Sequence, residues 1–371
     1  MASVIPLLIM ALIALSILVL VHEIGHFLVA KMVGIWPEEF GIGYPPRLFG
    51  KKFGETIYSI NALPLGGFVR LHGEDPSEKA KYPERSFSHK PPLAKALVAV
   101  AGVFMNFIFA VVIFAALYAY GGGIAKGVLV SSVLPDSPAD NAGLVEGDVI
   151  VSLGGQALIL TESFLPEIDL NKGKTTTLIY EREKNGAINT YETNVTLPAQ
   201  YSEERGLLGV GYLPESIVSP SWWQTPFTYL YYGFTKAVYL SEKIIEAFGG
   251  LLVSAFSGTK PEGLVGPVGA AGLGAEAARA GFVNLLHFTA IISINLAIIN
   301  LVPFPPLDGS RLLIIAVEGL VGKKMLPRVE SMVHTIGMII LLMLMLVLTA
   351  GEIPRLISAG SLSAFVDSLV Q

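Results

Sequence analysis

Two histidines one helical turn apart, with a glutamate beside the first, form the strongest chemical signal in the chain: His22-Glu23-Ile24-Gly25-His26. On a helix this spacing puts both imidazoles on one face, where they can share a tetrahedral metal ion. Glu23 then stands where a general base acts on metal-activated water. The sequence contains no cysteine, so disulfides and thiolate ligands are excluded and a zinc ion here needs His, Asp or Glu. Two histidines leave such a site one protein ligand short. No further His or Glu follows soon after His26, so the short-spacing pattern of soluble zinc sites is absent.

The best third ligand lies far down the chain. Asn300-Leu-Val-Pro303-Phe-Pro305-Pro306-Leu307-Asp308-Gly309 follows an apolar run, and its prolines must interrupt a helix. Broken backbone at membrane depth is tolerated only against protein or a water-filled cavity. Asp308, directly after the break, can point its carboxylate into such a cavity. The competing reading is an ordinary helix-capping Asp, which the pairing with His22 and His26 disfavours. The remaining histidines, His72, His89, His287 and His334, have no partner at ligand spacing and read as structural or solvated.

The elements that must position these residues are apolar. Of 371 residues, 52% are hydrophobic and 15% charged, against about 25% charged in soluble domains. The net charge of −5 carries no nucleic-acid signal. Four stretches, near 4–33, 93–120, 282–302 and 332–350, each supply the roughly 20 apolar residues that cross a bilayer. The first lacks a basic leader and a small-residue cleavage site, so it reads as a span and not a signal peptide. The loop between the first two spans is basic, with Arg47, Lys51, Lys52 and Arg70 among others, and so is the loop bearing Lys323, Lys324 and Arg328. Short basic loops stay in the cytoplasm. Both termini are therefore expected outside, with His22, His26 and Asp308 at the same cytoplasmic side.

Residues 122–215 break the apolar pattern. Val128–Val133, Thr175–Glu181 and Thr190–Leu197 read as strands. Between the first two, Asp136-Ser-Pro-Ala-Asp-Asn-Ala-Gly-Leu-Val-Glu-Gly-Asp148 suggests a capped short helix, a glycine turn and entry into another strand. This pattern resembles a PDZ domain of the bacterial protease type, and such domains bind extended peptides at a sheet edge. Gly121–Gly127 is a candidate for part of its binding loop. Residues 226–257 are aromatic-rich but carry Lys236, Glu242, Lys243 and Glu246. Mid-membrane charges cost about 3 kcal/mol each, so this stretch reads as an amphipathic helix at the outer surface. In the basic loop, Thr56–Asn61 and Gly66–Leu71 read as two arms of a hairpin joined by Ala-Leu-Pro-Leu. Gly263–Gly269 reads as a turn.

Together, His22-Glu23-x-x-His26 in the first span, the β-rich insert after the second, and Asn300-x-x-Pro303-x-Pro305-x-Leu307-Asp308-Gly309 after the third resemble the site-2 protease family of intramembrane zinc metalloproteases, in its regulator-of-sigma-E branch. The resemblance extends along nearly the whole chain. It implies a membrane α-helical fold of four transmembrane helices, a membrane-associated β-hairpin and one extracytoplasmic PDZ-like domain between helices 2 and 3. The expected organisation is a membrane half over 1–121, the PDZ-like domain over 122–215, an amphipathic surface segment over 216–281 and a second membrane half over 282–371. It further implies Zn2+ held by His22, His26 and Asp308, with Glu23 as general acid/base. Asn300, Gly66, Gly67, Pro303 and Pro305 would bind substrate, the hairpin edge pairing with an unwound helix. The implied substrates are single-pass membrane proteins in the bacterial inner membrane, such as anti-sigma factors or remnant signal peptides. A trimmed substrate terminus would meet the PDZ-like domain, and membrane lipid would surround the rest. Some members of the branch carry two tandem PDZ domains; this chain has room for one. Two rival classes use the same features: a PDZ-bearing scaffold without activity, and a metal transporter. Intact His22, Glu23, His26 and Asp308 oppose the first. The absence of internal sequence repeats opposes the second.

Overall fold

The computed structural model describes all residues except 1–3, 75–79, 121–123, 126, 159–162, 185–186, 201–205, 214–216, 219–224, 258–264, 323–326 and 371. In chain order the elements begin α1 (Val4–Met32), β1 (Pro37–Phe53), β2 (Thr56–Leu71), α2 (Pro92–Tyr120), β3 (Ile124–Ala125), β4 (Val128–Val133), α3 (Pro138–Asn141), β5 (Val149–Leu153), β6 (Gln156–Ala157) and α4 (Phe164–Leu170). They continue with β7 (Thr175–Lys184), β8 (Ala187–Thr196), β9 (Val210–Leu213), β10 (Ile217–Val218), α5 (Thr225–Ser257), α6 (Pro267–Ala280), α7 (Phe282–Leu301), α8 (Asp308–Val321), α9 (Pro327–Ala359) and α10 (Leu362–Val370). The chain divides into two compact units, residues 1–113 with 237–371, and residues 114–236. Both divisions fall inside helices, α2 and α5, whereas the sequence placed its boundaries in the flanking glycine and proline stretches.

Among the described residues, α1, α2, α7 and the Ser331–Ala359 part of α9 are the helices long and apolar enough to cross a membrane. They correspond to the four expected stretches. The last runs further than 332–350 because Glu352, which ends the apolar run, is buried and used inside the fold. Its carboxylate accepts the backbone N–H of Gly266 (2.7 Å), Val268 (3.1 Å) and Gly269 (3.1 Å) at the start of α6. A negative charge on three free N–H groups suits a helix N-terminus. Residues 265–269 are thus not a turn: Gly266 caps α6 and Pro267 opens it, the position where proline is favoured. Residues 263–264 lie outside the described residues. On α6, Ala278 joins Ala14 of α1 and Leu285 of α7 in one apolar cluster.

The two runs in the basic loop do not pair with each other. Both belong to β2, and each pairs with β1: Glu39–Ile42 has partners at Ile57–Ile60 and also at Gly67–Arg70. The hairpin turn is at Phe53–Thr56, where Gly54 has φ +60°. The sequence hid β1 because its glycines and its Pro45-Pro46 pair look like loop. Glu39 explains its place. It is 2% exposed, bonded to Arg47 (2.5 and 3.0 Å) further along β1 and to Arg70 (2.9 Å) of β2. Burial alone would raise its pKa. Hydrogen bonds from Ser59 and Arg47 and the charges of both arginines hold it below the usual carboxylate range.

In the second unit a six-stranded antiparallel sheet runs β8-β7-β5-β4-β9, with β6 attached to β5. Val130, Ile150, Leu178 and Phe164 lie in its core. Ser137 caps α3 by accepting the Asp140 N–H at 3.2 Å. Asp148, fully buried at the entry to β5, takes two hydrogen bonds from Arg182 of β7, at 2.6 and 2.7 Å. The expected strands are β4, β5, β7 and β8, and the expected short helix is α3; α4 and β9 were not foreseen, being only 7 and 4 residues long. The Gly121–Gly127 loop lies mostly outside the described residues.

Candidate metal centre

His22 and His26 meet on one face of α1 with ring centroids 4.7 Å apart. The second ring is fixed by the neighbouring helix. His26 Nδ1 donates to the Val98 carbonyl of α2 at 2.7 Å. That bond selects the tautomer and leaves the Nε2 lone pair for a metal. Asp308 arrives from the other end of the chain. Its helix α8 starts directly after the proline segment that ends α7. Gly309 makes the bend possible: a Cβ there would overlap the carbonyls of Leu301 and Val302.

Three donor atoms converge. His22 Nε2 lies 3.1 Å from His26 Nε2, and Asp308 Oδ2 lies 3.0 Å from the first and 3.3 Å from the second. Tetrahedral bonds of about 2.0–2.1 Å would set ligand atoms about 3.3 Å apart. The residues present therefore fit a zinc ion. Asp308 Oδ2 is buried and has no aimed donor of its own, as expected of an oxygen kept for a cation.

Gly102 of α2 is what lets the rings sit there. A Cβ at this position would stand 2.5 Å from His26 Nε2 and 2.6–2.7 Å from the His22 ring. Gly102→Ala is expected to weaken zinc binding by about 10-fold or more, although alanine favours the helix. Dialysis against a graded chelator series followed by metal analysis reads the effect. Wild-type zinc retention would contradict this packing argument.

Glu23 Oε2 accepts the Val69 N–H of β2 at 2.9 Å. Two residues along, the Leu71 N–H goes to Glu74 at 3.1 Å, and Glu74 pairs with Arg311 of α8 at 2.5 Å. The edge of β2 thus has its Val69 and Leu71 N–H groups held by the Glu23 and Glu74 carboxylates. A cavity of about 340 Å³ opens here, lined by His22, Glu23, His26, Gly67, Asn300 and Asp308 among others. Gly66 borders it from behind: its N–H reaches Ser16 Oγ at 3.3 Å and its φ is +67°. Pro303 and Pro305 are not in the wall, whereas Pro306 is. Pro305 lines an adjoining cavity of about 590 Å³ that shares Leu71, Glu74 and Arg311 with the first.

Sequence reasoning missed Tyr44, Glu74, Asn106 and Arg311, all in the same wall. Asn106 left a signal, a polar residue in the middle of α2, where such residues are functional by default. Glu74 and Arg311 left none, because an ion pair across 237 residues has no local pattern.

A model of Peptidase family M50 matches residues 10–344. A Clostridium perfringens protein bearing a zinc-metalloprotease name is 36% identical, over 93% of this chain and 98% of that protein. Zinc metalloprotease RasP of Shouchella clausii is 30% identical, covering 92% and 97%. The regulator of sigma-W protease RasP of Bacillus subtilis is 29% identical, covering 91% and 96%. Among solved structures, the PDZ domain of an SdrC-like protein from Listeria monocytogenes is 25% identical over 24% of this chain and 88% of that chain, at a TM-score of 0.20. The family match runs unbroken from the helix that carries both histidines, through Asp308, into the last span. The chain therefore belongs to peptidase family M50, the site-2 proteases, and is a zinc-dependent intramembrane metalloprotease.

Proposed function

We propose that His22, His26 and Asp308 hold the zinc ion, that Glu23 is the general acid/base, and that the substrate is a transmembrane helix unwound against β2. The observation that carries this reading is the convergence of three donor atoms beside Glu23, in a cavity whose wall includes a strand edge. Bound there, zinc would supply a Lewis acid for the scissile carbonyl and for the attacking water. Glu23 takes the proton of that water and returns it to the departing amine. To do so its carboxylate turns from the Val69 N–H. A helical peptide bond is shielded by its own hydrogen bonds until the helix unwinds, and a β2 edge strand replaces the bonds lost. Gly67 lies in the wall beside that edge, where a Cβ would run into Leu20 and the Gly41 carbonyl, and the Asn300 carboxamide, in the same wall, pairs with the substrate backbone. Gly66, against Val19 and Tyr44 of the wall, and Pro305, in the adjoining cavity, border the approach to that edge.

The second unit acts as a PDZ-like filter outside the membrane. Its support is a cleft of about 530 Å³ between α4 and β9, lined also by Gly206-Leu207-Leu208-Gly209. A trimmed substrate terminus adds there as a strand. The basic loops support a reading in which His22, His26 and Asp308 face the cytoplasm of a bacterial inner membrane. Membrane-anchored anti-sigma factors and remnant signal peptides fit this arrangement, and the name of the Bacillus subtilis relative points to the first.

The test is metal removal. The full-length protein in detergent, given a single-pass transmembrane peptide, is expected to cut within or beside the apolar segment. Chelation is expected to stop cleavage and stoichiometric zinc to restore it. Cleavage confined to soluble peptides, or untouched by chelation, would overturn the proposal.

A further inference from the structure

Two buried groups beside the metal residues are left without partners: Nδ1 of His22, and both ends of the Asn106 carboxamide. Asn106 is fully buried, yet it lines the same cavity as His22. A buried carboxamide without partners is destabilising, so its presence on α2 calls for a use. The two orphans are complementary. With Nε2 turned to the metal side, a neutral His22 carries its proton on Nδ1 and needs an acceptor. Asn106 Oδ1 is an acceptor.

The packing of α1 on α2 puts them in line. As α1 residues fall from His26 to His22, the α2 residues they meet rise from Val98 to Gly102. Val98, Gly102 and Asn106 share one face of α2 at intervals of four. The first gives His26 its acceptor, and the second gives both rings room. The third stands one turn further on, in the direction in which a helical side chain at His22 leans. Ser293 Oγ of α7 donates to the Asn106 carbonyl at 2.8 Å and ties this turn of α2 to α7.

We infer that Asn106 is the positioning residue for His22: its Oδ1 accepts the His22 Nδ1–H when zinc is bound, as the Val98 carbonyl does for His26. This rests on His22 being a zinc ligand. Asn106 Nδ2 then donates to water in the same cavity.

Zinc affinity of the full-length protein, measured by competition with a chromophoric chelator, tests the assignment. Asn106→Ala and Asn106→Leu are expected to bind zinc about 10–100-fold more weakly. Asn106→Asp, which offers the same acceptor, is expected to stay within about threefold of wild type, a rescue that mere space-filling would not give. Unfolding of the metal-free protein is expected to be unchanged or later in Asn106→Leu, since an unsatisfied amide is removed. His22→Ala is the control. If His22→Ala loses zinc while Asn106→Ala binds like wild type, the positioning role falls and the ligand assignment stands. If Asn106→Asp is as weak as Asn106→Ala, the role also falls. If His22→Ala binds zinc like wild type, the ligand assignment itself is wrong.

Discussion

Glu23→Gln is expected to slow cleavage of a transmembrane substrate by about 10²–10⁴-fold, the usual contribution of a positioned general acid/base. The zinc content is expected to stay at the wild-type level, because the three converging donors come from His22, His26 and Asp308. The amide keeps the size of the carboxylate, and its oxygen can still accept the Val69 N–H that Glu23 accepts at 2.9 Å. The strand edge should therefore remain in place. The variant separates chemistry from architecture: it should still bind substrate and zinc, yet neither take a proton from water nor return one. Cleavage assays paired with metal analysis on one preparation read both quantities. Undiminished cleavage would sink the mechanism proposed for Glu23. Loss of zinc alongside activity would show that Glu23 also helps hold the metal.

The second large effect is at Asp308. Asp308→Ala removes one of three donors from a cluster whose members stand 3.0–3.3 Å apart. Zinc affinity is expected to fall by more than the roughly 10–100-fold that a supporting partner is worth, and activity with it. Asp308→Glu is more discriminating. The longer arm can still reach the ion, but α8 starts at Asp308 and Gly309 is pressed against the Leu301 and Val302 carbonyls, so the backbone cannot retreat to compensate. A displacement of about 1 Å in a reacting site costs about 10²-fold. Asp308→Glu is thus expected to retain measurable zinc and lose most turnover. Full activity in Asp308→Ala would remove this residue from the site.

The candidate site was legible in the sequence where its logic is local or where the membrane enforces it. His22 and His26 announce themselves by helical spacing. Asp308 follows from a proline break that the bilayer forbids without a cavity. The four spans are legible because length and apolarity alone decide them. What escaped depends on partners distant in the chain. Segment 37–53 looked like loop until Glu39 was seen between Arg47 and Arg70, and the two supposed hairpin arms turned out to flank it. Pro267 looked like a turn because the residue that completes its helix, Glu352, sits 85 positions later. Asn106 could be noticed but not assigned, since its meaning comes from an unpaired nitrogen on another helix.

The distance along the chain between the halves of the metal centre also bears on when the enzyme can first act. His22 and His26 leave the ribosome early and enter the bilayer with α1. Their third partner is Asp308, and α6, which packs on α1 through Ala278 and Ala14, has its first turn completed by Glu352 near the end of the last span. In the proposed centre, a chain still in synthesis therefore carries His22, Glu23 and His26 before Asp308 has been made. On the proposed centre, proteolytic competence is expected only once the segment that bears Asp308 and Glu352 has been made.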